Sequence, residues 1–448
     1  MKASMKNRYI VLTDINSAPE VDDIQSMYRL FLYANEIEIE GLIVNTSCFV
    51  KRISEKNRAL ILNVIESYEK VKENLDQFAD YPSPQALRSV TAIGIPVYGR
   101  WAKIQFATKK YETNEGVRLL IRSFEKKDDR PLFIGLWAGA NTLAQALWQC
   151  ENTHAKSDFD ALLGKLRIYS ISDQDEASRW IRKRYGKNLF FIVSPSKGTW
   201  MGNLSYYRAT WAGISSDRFK HGSEDGIRRT KGFSGADFSL IDNRWIRENV
   251  RSFPYAKGYP YPAYITEGDT PSFLWLIQNG LNLPEHPEYG GWGGRYARYL
   301  PDRRQFKVKE YYPIYTNVSD TVRGIDGNNH TSPQATIWRW RRDFQEDFYA
   351  RLLWTIGKGD PLPSIQNEYN EIRVDRTVQL AVNGSFPNDT AFEWFVYRDI
   401  SSFLPTLHAN RSTCAVQIPA NASGTAHVIV KIKTEHSPVR YARFLLKR

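Results

Sequence analysis

The stretch Tyr9-Ile-Val-Leu-Thr-Asp14-Ile-Asn-Ser-Ala-Pro-Glu20-Val-Asp22-Asp23-Ile24 constrains this chain more than any other. A run of mostly β-forming apolar residues ends at Asp14, a short loop carries three more carboxylates, and a helix opens at Ile24 with Met27, Leu30, Phe31 and Ala34 on one face. The pattern predicts strand, acidic loop and helix. In open α/β sheets ligands bind beyond the carboxyl ends of the strands, which is where this loop falls. Carboxylates this crowded repel one another unless something positive stands among them, and a hard cation with oxygen ligands is the simplest candidate. A solvated acidic loop, with Asp22 and Asp23 stabilising a helix N-terminus, is the competing reading.

The rest of the chain supports an α/β core. Ile37 to Val44 reads as a buried strand that places Asn45, Thr46 and Ser47 at its carboxyl end. Residues 55 to 79 have helical spacing, Ile95 to Tyr98 is a short apolar run expected as a strand, and Asn114 to Phe124 a helix. Strands at Pro131 to Leu136, Leu166 to Ile171 and Leu189 to Val193 alternate with helices at Ala140 to Gln149 and Glu176 to Arg184. Such alternation predicts a doubly wound, mostly parallel sheet. From Lys197 to Tyr264 the periodicity weakens into long loops, with a helical piece near Asp237 to Val250. Helices are expected at Thr270 to Gln278 and at Gln334 to Ile356, the second carrying mostly core aromatics. Gly357-Lys-Gly-Asp-Pro-Leu-Pro363 then reads as a linker. Beyond it, period-two segments separated by turn residues predict a small all-β immunoglobulin-like sandwich over 365–448, with Trp394 as its core tryptophan, after an α/β domain over 1–360.

Composition narrows the function. The net charge of +12 comes from scattered Lys and Arg and no nucleic-acid module is present, so no nucleic-acid partner is expected. Basicity favours acidic substrates only weakly. The aromatic excess, 13 Trp, 25 Tyr and 22 Phe, fits a protein that handles carbohydrate, since rings stack on sugar faces. Cys48, Cys150 and Cys414 are too few for a disulfide framework or a zinc site, and the seven histidines include no helix-spaced pair. No window suits a membrane span, so no membrane partner is expected, and oligomeric state is not legible.

Dispersed motifs carry a resemblance. Besides the Asp14 to Asp23 loop they are Glu40-Gly-Leu-Ile-Val-Asn45-Thr-Ser47, Trp137-Ala-Gly-Ala-Asn141-Thr-Leu-Ala, Tyr169-Ser-Ile-Ser-Asp173-Gln-Asp175, Glu267-Gly-Asp269-Thr-Pro-Ser and Pro287-Glu-Tyr-Gly-Gly-Trp292-Gly-Gly-Arg. Together they resemble the nucleoside hydrolases and, more nearly and over almost the whole chain, the nucleoside-hydrolase-like family of cellulose-binding protein Sde182. The resemblance implies a sheet of nucleoside-hydrolase type. It also implies a Ca2+ site, with Mg2+ second, formed by Asp14, Asp23, Asp269 and the main-chain carbonyl of Asn141. Asp14 would also be the base for water activated at the metal, and Asp22 the partner of sugar hydroxyls. Asn45, Asp173, Trp137 and Trp292 are the implied substrate contacts. Export is implied too, the signal peptide being absent from this chain, with a cytoplasmic location as the alternative.

Departures from the nucleoside hydrolase pattern redirect the substrate. Leu12 replaces an aspartate, the Asp14 to Asp22 loop is longer, and Gly268 stands where those enzymes carry a histidine. Nucleosides are therefore not the expected substrate, and Glu267 or Asp175 would have to act as the acid. The sequence reading is a calcium-dependent glycoside hydrolase that acts on an O-linked sugar with inversion. The alternative is a non-catalytic protein that binds a cellulose-like polysaccharide.

Overall fold

Strands buried on both faces must be covered on both sides, and the first six here are mostly of that kind. The computed structural model describes residues 5–17, 21–98, 106–196, 209–215, 235–261, 264–306, 308–366 and 369–448. Its main sheet contains β1 (Asn7–Thr13), β2 (Ile37–Val44), β3 (Thr91–Ile93), β4 (Leu132–Leu136), β5 (Leu166–Ser172), β6 (Phe190–Ser194), β7 (Tyr296–Tyr299) and β8 (Ile314–Asn317). They lie in the order β3-β2-β1-β4-β5-β6-β8-β7, parallel except where β7 runs antiparallel to β8. Two apolar clusters, one on each face, pack the helices against it. The order reverses between β1 and β4, so the crevice beyond the carboxyl end of β1 is the switch point where ligands bind in such sheets.

Most elements lie where the periodicity places them, and the differences have local causes. The third strand is Thr91–Ile93 rather than Ile95 to Tyr98. Gly94 ends it, its N–H bonded to Val44 O at 2.7 Å, where a Cβ would meet the Asn45 side chain at 2.9 Å. The helix expected over 55 to 79 stops at Glu69, and that from Thr270 is one turn, Pro271–Leu274. The long aromatic helix is split at Trp340 into Ala335–Trp338 and Arg341–Trp354. Strands β7 and β8 were not predicted because four-residue segments with half-exposed side chains give little period-two signal. Much of the Lys197 to Tyr264 stretch lies outside the described residues.

After residue 369 the strands pair among themselves, except that Gly384–Ser385 pairs with Ser364–Ile365. Tyr369–Arg373, Arg440–Lys447, Thr425–Lys433 and Ala391–Val396 form one sheet; Thr377–Ala381, Thr413–Gln417 and Thr406–Asn410 form the other. Leu380, Cys414 and Val416 of the second face Val428, Val430, Phe444 and Leu446 of the first across a separate core. Trp394 is not central to it: half-buried, it stacks on Phe444 with ring centroids 5.6 Å apart and donates to the Arg411 carbonyl.

This all-β part is joined to the α/β part by buried polar contacts. Tyr441 donates to Asp343 Oδ2 at 2.5 Å and accepts from Trp292 Nε1 at 3.1 Å. Arg443, fully buried, donates to the carbonyls of Leu281, Tyr289 and Gly290 and, at 3.1 Å, to His427 Nδ1. Burial, and then the Arg443 charge, pushes the His427 imidazole down to about 3. Unfolded histidine titrates near 6.5, so between about 3 and 6.5 the unfolded chain binds the extra proton. Stability contributed by His427 is therefore complete above that window and lost as pH falls through it. Urea unfolding from pH 4 to pH 7 should show this arm in the wild type and a shallower one in His427→Gln; equal slopes would refute it.

Candidate functional site

The first turn of helix α1 (Asp22–Leu32) meets the end of β1 because the following turn of α1 grips a distant loop. Gln25 Oε1 accepts from Thr266 N at 2.7 Å, Ser26 Oγ lies 3.0 Å from Thr270 Oγ1, and Arg29 pairs with Glu267 at 2.5 Å. These contacts bracket Asp269 and carry it to the helix start. Carboxylate oxygens of Asp22, Asp23 and Asp269 all lie within 4.8 Å of one another. Asp23 and Asp269 are buried and Asp22 half-buried. Thr13 Oγ1 donates to Asp23, which ties the cluster to the last residue of β1.

Asp14 adjoins this cluster. Ser47, from the end of β2, donates to its Oδ2, and Asp23 hydrogen-bonds its carboxyl as well. Burial first, opposed by the Ser47 hydrogen bond and reinforced by the Asp22 charge, pushes the Asp14 carboxyl up to about 7. A carboxyl in that range exchanges protons at neutral pH.

All-oxygen, acidic donors from separate segments suit a hard divalent cation, with calcium favoured by its tolerance of irregular shells. The residues gathered differ from those expected. Asp22, assigned to sugar hydroxyls, belongs with Asp23 and Asp269, while Asp14 stands beside them. Asn141, expected to offer its main-chain carbonyl, is the first residue of the Asn141–Thr153 helix. Its side chain donates to Thr46 Oγ1 and Val97 O, both at 3.0 Å.

The other expected site residues are committed to the scaffold. Glu267 is fully buried, paired with Arg29 and accepting from Tyr259 OH at 2.5 Å. Asp175 accepts from Ala140 N and Asn141 N at 2.8 and 3.1 Å through one oxygen, and from Ala177 N and Ser178 N at 2.9 and 3.3 Å through the other. It thus caps two helices at once. Burial pushes it up to about 7 against the N–H groups of Ser178, Ala140 and Ala177. Asp173 takes a bidentate fork from Arg182 at 2.7 and 2.8 Å. Asn45 donates to Gly139 O at 2.7 Å and accepts from Thr142 Oγ1 at 2.5 Å. Trp137 and Trp292 are fully buried, their indole N–H groups bonded to Ser272 and Tyr441. Each of these polar groups therefore already has a partner within the scaffold.

Gly268, the position at which the resemblance implied a histidine, packs against Trp211. A Cβ there would meet the Trp211 indole at 2.7 and 2.9 Å, so this buried ring occupies the space a side chain at 268 would need. Sequence reasoning missed Trp211, which lies where periodicity is weak, and Thr13. Ser47 was visible as a strand-end hydroxyl without its partner being evident.

Comparison with known proteins bears on the family and the fold. The sequence model of the family described as cellulose-binding Sde182, nucleoside hydrolase-like domain, matches residues 8–296. The chain belongs to this family. A solved structure, a nucleoside hydrolase-related hypothetical protein from Saccharophagus degradans described as associated with carbohydrate metabolism, is 27% identical with a TM-score of 0.74. The alignment covers 99% of this chain and 100% of that one. No curated protein matches. The fold is thus a nucleoside-hydrolase-like sheet followed by small, mainly antiparallel β-sheets.

Proposed function

We propose that this protein binds a cellulose-like polysaccharide at the strand-end crevice, through a divalent cation held by Asp22, Asp23 and Asp269. The observation that carries the reading is their convergence within 4.8 Å at the sheet's switch point. Calcium there would supply a hard positive charge that sugar hydroxyls can share. Asp14, at the cluster's edge, would hold a further hydroxyl. Binding is preferred to turnover because both expected acids are occupied, Glu267 by Arg29 and Asp175 by helix N-termini, and Trp211 fills the space at Gly268. The family's printed description as cellulose-binding and the relative's association with carbohydrate metabolism support the class of ligand. Such a ligand is met outside the cytoplasm, so export is part of the proposal.

Hydrolysis is the second reading, favoured by the Asp14 carboxyl near 7. Asp14 would take the proton of a water attacking the anomeric carbon, and the product would be inverted. Aryl glycosides, whose leaving groups need no acid, are the substrates that would reveal it.

Cello-oligosaccharide titration and cellulose pull-down, with and without EDTA, separate these readings when run beside an aryl-glycoside assay. Binding should disappear in EDTA and in Asp22→Asn, with no sugar released. Binding indifferent to both would place the ligand elsewhere. Release that falls roughly 10²- to 10⁴-fold in Asp14→Asn would establish the hydrolase instead.

A further inference from the structure

On the segment that packs against α1 through Gln25 the chain builds a basic, aromatic platform that the cation-centred reading leaves unused. Tyr261 is 46% exposed, unusually open for so large a ring. The Arg251 guanidinium lies over that ring, 5.2 Å from its centroid, and donates to the Tyr259 carbonyl. Arg247, four residues earlier on the helical segment, hydrogen-bonds Tyr261. Among the described residues no carboxylate pairs with Arg251, whereas Glu248 is shared by Arg244 and Arg247 at 3.1 and 3.3 Å.

The platform's segment is tied to elements of the site. Tyr259 is buried and its hydroxyl holds Glu267, two residues before Asp269. The Pro260 carbonyl accepts from Gln25 Nε2 at 3.2 Å, and Gln25 lies within one turn of Asp22 on α1. The segment that carries the ring is therefore anchored to α1 and to the Glu267–Asp269 loop before any ligand arrives, which lowers the ordering cost of binding.

An exposed aromatic face takes the apolar face of a sugar, and a pre-oriented guanidinium without a carboxylate partner takes a carboxylate through two parallel hydrogen bonds. A sugar acid offers both groups at once, and the net charge of +12 favours its approach. We propose that Tyr261, Arg251 and Arg247 form a rim subsite for a uronate unit of a polysaccharide that runs past the carboxylate cluster. This rests on the carbohydrate-binding reading for its ligand class but not on the cation.

Calorimetric titration of the full chain with trigalacturonate and with cellotriose, at low and high salt, tests it. Trigalacturonate should bind about tenfold more tightly at low salt, and the advantage should shrink at high salt. Arg251→Gln should abolish the advantage and leave cellotriose affinity unchanged, Arg247→Gln should reduce it, and Tyr261→Ala should weaken both ligands. Equal affinities in the wild type, an advantage retained in Arg251→Gln, or an advantage that vanishes in EDTA would overturn the subsite while leaving cellotriose binding to stand. If neither trisaccharide binds, the subsite and the carbohydrate reading fall together.

Discussion

Replacing Arg351 by Met should destabilise the protein by about 3–5 kcal/mol, the usual effect of breaking a buried ion pair from one side. Arg351, on the Arg341–Trp354 helix, is fully buried; its Nε donates to Asp347 Oδ1 at 2.8 Å and its Nη2 to Glu36. Arg440, from the all-β part, reaches the same Glu36 at 2.7 Å and lies 3.8 Å from Asp347. Burial alone would raise the Glu36 carboxyl, but Arg440 and Arg351 outweigh it and hold it below its ordinary value. Without Arg351 two buried carboxylates would share one guanidinium, and the Leu32 carbonyl and Asn35 side chain would each lose a donor at 2.8 Å. Because Glu36 follows α1 and Arg440 belongs to a strand of the second unit, the loss should appear in one cooperative transition rather than two. Urea unfolding followed by tryptophan fluorescence measures it. A loss below about 1 kcal/mol would mean that water or Arg440 already compensates the pair.

The same residues show what the sequence could and could not reveal. Asp14, Asp22 and Asp23 are legible because one strand, one loop and one helix place them, and local periodicity suffices. Asp269 is legible only through its family motif, since the contacts that carry it to α1 join residues about as far apart as Arg29 and Glu267, which are 238 positions from each other. No local pattern shows that Glu267 is already paired. Trp292 is similar: its indole partner Tyr441 lies 149 residues away, in a strand of the all-β part. Asp175 is different, because a signal was present. It stands just before the helix expected at Glu176, where a carboxylate capping backbone N–H groups is an ordinary arrangement. Only its second duty, at the helix beginning with Asn141, needed the folded chain.

The doubly wound sheet follows from alternating buried strands and amphipathic helices, whereas edge strands β7 and β8 depend on what they lie against. Strand order shows why the acidic loop matters. Between β1 and β4 the helices pass to opposite faces of the sheet, and the crevice this leaves is lined by the residue after β1 and the start of α1.

Asp269→Asn should have opposite effects on stability with and without calcium, a pattern that a scaffold carboxylate cannot give. Asp22, Asp23 and Asp269 gather three acidic groups within 4.8 Å, with Asp14 beside them pushed up to about 7. In EDTA, removing one negative charge relieves repulsion, so the variant should melt at or above the wild-type temperature. In calcium the wild type gains the binding free energy, about 2.7 kcal/mol at a concentration 100 times the dissociation constant, and the variant should forfeit most of that gain. The two melting curves should therefore cross between the two conditions. Asp175→Asn provides the contrast: it weakens the capping of two helix N-termini and should lower stability equally in both conditions. Thermal melts of the three proteins in EDTA and in millimolar calcium settle the matter. If calcium leaves the wild-type melting temperature unchanged, the cluster is not a calcium site, and carbohydrate binding would have to rest on hydrogen bonds and aromatic stacking alone.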